Sequence, residues 1–137
     1  MGSKSDYLER RILDHMLGGP DFGRPATVYL ALFTAAPDDA GGGTEVAGNG
    51  YARAAVANNT TNWPAAATDA SGNTSKKNGA KISFPAAIGS WGNIVGGAIY
   101  DAASGGNRLF WASFAAVAIN TGDVANFAVN AITLTED

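Results

Sequence analysis

The chain has 137 residues, 46% of them apolar and only 15% charged, with a net charge of −3. That length carries one domain able to bury a core without staples, and the acidic balance offers no basic field for a phosphate backbone. The absence of cysteine excludes disulfides and thiolate metal sites.

The charged fraction lies below the roughly 25% usual for soluble domains, which leaves much weakly polar surface. Such surface suits lasting contact with a partner, or belongs to a domain kept soluble by Asn, Thr and Ser. The N-terminus is charged at Lys4, Asp6, Glu9, Arg10 and Arg11 and has no apolar core of a secretory signal. Apolar runs fall short of the ~20 residues a membrane span needs. Synthesis in a cytoplasm is the expectation, with no membrane and no nucleic acid as partner.

Residues 1–20 read as a helix and its cap, and 21–137 as a β domain. Ser5 or Asp6 can cap a helix running to about Leu17. Leu8, Ile12, Leu13, Met16 and Leu17 fall on one face at the helical period. Gly18-Gly19-Pro20 ends it, glycine supplying a left-handed cap and proline blocking continuation. A helix of about three turns is marginal alone in water, so its apolar face must dock on its own domain or on a neighbour.

Thr27 to Thr34 is the strongest strand, with Val28, Leu30 and Leu32 on one face and Tyr29, Ala31 and Phe33 on the other. Both faces are apolar, which predicts a central strand or one covered by the helix. A flexible loop with Pro37-Asp38-Asp39 and Gly41-Gly42-Gly43 follows, then a strand over Tyr51 to Ala57. Residues 58–78 are polar with Trp63-Pro64 inside, and read as a long excursion with room for local strand structure. A structureless loop of that length is unusual unless it binds something.

Short strands follow at Lys81 to Phe84 and Gly92 to Tyr100. In the second, Ile94, Ala98 and Tyr100 share a parity, and Gly96-Gly97 predicts a bulge or a close backbone approach. Asp101 to Asn107 is a hairpin turn and Arg108 to Phe114 the returning strand. Val124 to Val129 and Ala131 to Thr135 complete the set. Seven or eight short antiparallel strands with frequent turns predict a mainly β, single β-sandwich or jelly-roll-like domain with one N-terminal amphipathic helix.

Reactive groups are sparse. His15 is the only histidine, and nothing marks a nucleophile or acid as its partner. Asp38, Asp39, Glu45, Asp69, Asp101 and Asp123 fall mostly in turn sequences, where Asp serves the backbone. A weak calcium site from Asp38, Asp39 and Glu45 lacks EF-hand spacing. Lys76, Lys77 and Lys81 form a small basic patch that reads as a solvated loop. No catalytic residue, metal or cofactor is expected. Trp63, in a polar loop, is either a plug under that loop or an interface anchor.

Two segments resemble a family of small virion proteins from tailed bacteriophages. One is Tyr29-Leu30-Ala31-Leu32-Phe33-Thr34-Ala35-Ala36-Pro37-Asp38-Asp39-Ala40-Gly41, leading through Thr44-Glu45-Val46 to Gly50-Tyr51-Ala52-Arg53. The other starts at Ile99-Tyr100-Asp101-Ala102 and Gly105-Gly106-Asn107-Arg108-Leu109, and ends at Thr133-Leu134-Thr135-Glu136-Asp137. The resemblance implies a virion component made in a bacterial host.

The leading expectation is a capsid decoration (cement) protein on the outer surface of the head. It would bridge the major capsid protein and copies of itself, as a dimer or trimer. Candidate interface residues are Leu8, Ile12, Met16, Leu17, Trp63, Lys76 and Lys77. The alternative is a tail component, a fibre or baseplate adaptor in host attachment, with glycan binding around Trp63. A third class, a polysaccharide-acting enzyme, would have to work through Asp38 or Glu45.

Overall fold

The computed structural model describes residues 2–136. Its first element pair anchors the N-terminus. Strand β1 (Ser3–Lys4) leads into helix α1 (Asp6–Met16), and Ser5 is the N-cap. The Ser5 hydroxyl accepts the Leu8 amide at 3.3 Å and donates to the Arg108 carbonyl, so the cap also ties helix to sheet. Leu8 is buried in the main core, while the rest of the apolar face points away from it.

The main sheet holds β2 (Thr27–Ala35), β8 (Gly92–Tyr100) and β9 (Arg108–Ile119). Short β3 (Thr44–Glu45) and β4 (Ala54–Ala57) lie on the free side of β2, and β1 lies on the outer side of β9. All these pairs are antiparallel. A second layer comprises β7 (Ile82–Ser83) with β10 (Asn126–Phe127), and β5 (Ala67–Thr68), β6 (Thr74–Lys77) and β11 (Thr133–Glu136). Val28, Leu30, Leu32, Val56, Ile94 and Ile99 of the first layer meet Ile82, Phe84 and Trp63, with Phe127, Ile132 and Leu134 against them. The result is a β-sandwich with one N-terminal helix.

Strand β2 is central and buries both faces, as its two apolar parities require. Its second face, with Ala31 and Phe33 beside Ala98 and Tyr100, is covered in a way the sequence did not suggest. Two guanidinium groups lie over it, Arg53 at 3.7 Å from the Tyr100 ring centre and Arg108 at 4.9 Å from that of Phe33. Pro37 closes over Gly96, where a Cβ would strike the proline ring and sit 2.8 Å from the Ala112 carbonyl. The close approach expected at Gly96-Gly97 is therefore present, along with a register shift between Ile94 and Gly96. That shift corrects the expected parity: Ile94 joins the main core with Ile99, whereas Ala98 and Tyr100 face the other way.

Residues 58–78 are not structureless. Their β5–β6 hairpin pairs with β11, so a segment that looked like an excursion is half of the second layer. Among the described residues there are eleven strands, several of only two residues, against the seven or eight expected. Strand β9 runs to Ile119 rather than stopping at Phe114, and the span Val124 to Val129 is reduced to Asn126–Phe127.

Candidate functional site

The two family-like segments meet in one polar cluster on the second face of β2. Glu45 accepts from Arg53 Nε and Nη2, both at 2.8 Å, and from the Tyr51 hydroxyl at 2.9 Å. Arg53 Nη1 donates to the Ala102 and Gly105 carbonyls at 2.8 Å, which locks the hairpin after β8. Arg108 donates to the Tyr100 hydroxyl and to the Asp38 carbonyl at 2.7 Å. Burial raises the pKa of Glu45, but the hydrogen bonds from Arg53 and Tyr51 and the charges of Arg53 and Arg108 outweigh it. The carboxyl is held below its ordinary value. Burial also raises Tyr51 and keeps it a phenol. Each nitrogen of Arg53 already has a protein acceptor, so the cluster is a brace rather than an anion site.

Two surfaces remain open. On α1, Ile12, Leu13, Met16 and Leu17 are 37–81% exposed and form a free apolar stripe. The second surface follows β9. Ser113 through Ala118 are all exposed, Val117 to 53% and Phe114 to 37%, with Val124 and Val129 half-exposed nearby. Beside them, between the two layers, lies a cleft of about 330 Å³ lined by Leu30, Ile99, Phe110, Phe114, Ile132 and Leu134 among others. Between Arg108 and Glu136 only Asp123 is charged, out of nine basic and twelve acidic residues in the chain. Depletion of charge and exposure of apolar groups together mark contact surface.

The predicted interface residues separate. Ile12, Met16 and Leu17 share the open helix stripe. Leu8 and Trp63 are 5% exposed and belong to the main core, which removes both from any surface. Trp63 is the plug of the two readings, and its indole N–H has no partner among the described residues. Lys76 is half-buried with Nζ on the Pro64 carbonyl at 2.9 Å, while Lys77 is exposed on β6. The open flank of β9 was not singled out from the sequence. The uncharged run from Leu109 to Gly122 was the available signal.

Chemistry-bearing groups do not converge. Asp38 Oδ1 accepts the Gly42 amide at 2.6 Å, and Glu45 belongs to the brace. His15 Nδ1 accepts the Phe22 amide at 3.1 Å and ties down the loop after α1. Among the described residues no three His, Cys, Asp or Glu side chains gather to hold a metal, and no helix is long and apolar enough to cross a membrane.

No curated protein matches this sequence. A family model described as podophage GP4 fiber I protein gp80 matches residues 3–135. That span takes in the brace, the helix and both open surfaces, and the chain belongs to this family of tailed-phage virion structural proteins.

Proposed function

We propose that this chain is a fibre-class component of the phage tail, acting in host attachment as a non-catalytic structural link. The observation that carries the reading is the family match over residues 3–135, whose description names a fibre protein. It favours the tail alternative over capsid decoration, since nothing in that description points to the head.

The surface agrees with a structural role. A fibre part works through permanent contacts, and among the described residues an apolar stripe on α1 and a charge-poor flank along β9 are left uncovered. Burial of Trp63 leaves no exposed aromatic ring for sugar stacking in the 58–78 segment. Asp38 and Glu45, the acids an enzyme would need, are held by the Gly42 amide and by Arg53 and Tyr51. Cryo-electron microscopy of particles carrying an antibody-labelled copy tests the reading. Label confined to the tail is the expected result, and label repeated across the head surface would restore capsid decoration.

A further inference from the structure

We propose that the outer edge of β9 is a self-association site, where two copies pair their β9 strands antiparallel about a two-fold axis near Ala115. The occupant is a second copy of this chain. This holds wherever on the particle the chain sits.

The edge is incomplete in one copy. On its inner side β9 is laddered to β8, but on its outer side it meets only the segment Ser3 to Ser5: Ser3 and Lys4 lie opposite Trp111 and Phe110, and the Ser5 amide donates to the Leu109 carbonyl. From Ala112 to Ala118 the outer backbone groups have no partner strand among the described residues. Natural edges are usually shielded by lysine, proline or a covering segment. The run Ala112-Ser113-Phe114-Ala115-Ala116-Val117-Ala118 has no charge and no proline. Its one shielding device is the bulge, in which Phe114, Ala115 and Ala116 face only Val95 on β8.

Three observations select a second copy. A two-fold at Ala115 sets Ala112 and Ser113 against the partner's Ala118 and Val117, the stretches still laddered to β8 on either side of the bulge. The bulges then meet at the axis, where Ala115 and Ala116 are small enough for close approach. A strand without charge pairs with itself free of like-charge repulsion. The alternative, head-to-tail pairing onto the far edge of the sheet, finds only β4, of four residues, and β3, of two. It would leave part of β9 bare, and open-ended association makes filaments.

The area is sufficient. Seven residues of strand span about 24 Å, and two layers about 10 Å apart make the flank roughly 20 Å deep. Both copies together bury on the order of 1,000 Å², the lower bound for a specific interface. Phe114, Val117 and Val124 supply apolar side chains along that flank.

The chain's lack of cysteine makes the test clean. Purified full-length wild type should sediment as a dimer at micromolar concentration. Val117→Lys, at an exposed position, should weaken the dimer at least about tenfold, because an ammonium would be buried against an uncharged strand. Ala115→Cys should form an intermolecular disulfide on mild oxidation, since facing Cα atoms about 4.5–5.5 Å apart lie within disulfide reach. Ala103→Cys, exposed in the hairpin beyond β8, should not. Circular dichroism identical to wild type confirms that each variant is folded. A monomeric or trimeric wild type, an unaffected Val117→Lys dimer, or equal cross-linking at both cysteines would overturn the proposal. None of these outcomes bears on tail against head location, which the labelled-particle experiment decides separately.

Discussion

Replacing Asn78 by alanine should destabilise the fold far more than any other asparagine-to-alanine change. Its side chain is fully buried and makes three hydrogen bonds. Nδ2 donates to the Ala80 and Ala128 carbonyls at 2.9 and 2.7 Å, and Oδ1 accepts the Ile132 amide at 2.8 Å. These bonds tie the β6–β7 connection to the β10–β11 connection. In the alanine variant the Ile132 amide is left unpaired inside, at a cost of about 1–3 kcal/mol. The Ala128 carbonyl keeps the Ala131 amide at 3.1 Å, so its loss is smaller. The sum is about 3 kcal/mol, or roughly 10 °C in Tm for a domain of this size. Thermal and urea unfolding of the full chain, followed by circular dichroism, measure it. Asn73→Ala, at an exposed asparagine, is the control and should stay within about 0.5 kcal/mol of wild type. Asn78→Asp adds a sign test. A carboxylate there faces two carbonyl oxygens, so that variant should be least stable at neutral pH and recover on acidification. A Tm for Asn78→Ala within about 2 °C of wild type would refute the account of this residue as the tie between the connections.

Other expectations follow from the same geometry. Gly96→Ala should unfold or severely destabilise the chain, because its methyl would strike Pro37 and the Ala112 carbonyl; a soluble variant with wild-type Tm would contradict the close approach. Trp63→Phe should cost only about 1 kcal/mol, since the indole N–H has no partner among the described residues to lose, whereas Trp63→Ala should cost about 3–5 kcal/mol. Glu45 has a lowered folded-state pKa, so its contribution is present above the ordinary carboxylate value and is lost as pH falls through the folded one. Glu45→Gln should therefore flatten the acid limb of a Tm-against-pH curve below about pH 4.5. Equal slopes for the two proteins would mean that the Arg53 pair contributes nothing on folding.

Much of this molecule was legible in short windows. The capping serine, the two-faced Thr27–Ala35 strand, the hairpin at Asp101–Asn107 and the anomaly at Gly96-Gly97 are local matters. Each is fixed by side-chain period or backbone freedom within about ten residues. The family-like motifs were readable as strings, but not as the brace they build. Glu45, Arg53 and Arg108 meet only when β3, the start of β4 and the hairpin come together.

The sequence by itself determined a β-sandwich with one amphipathic N-terminal helix, poor in charge and without clustered reactive groups. Tertiary structure alone decided which apolar residues are spent inside and which remain outside. Leu8 and Trp63 looked like contact residues and went to the core, Leu8 with the helix that docks on β9 and Trp63 with the segment that packs on the main sheet. Residues 58–78 looked like a loop, because a hairpin of Thr, Ser and Lys has no apolar period until β11 supplies its partner strand. The flank of β9 looked like an ordinary strand. It becomes an open edge only because β1 is two residues long and covers so little of it. Burial and edge status belong to pairs of distant segments, and no local pattern in one of them records the other.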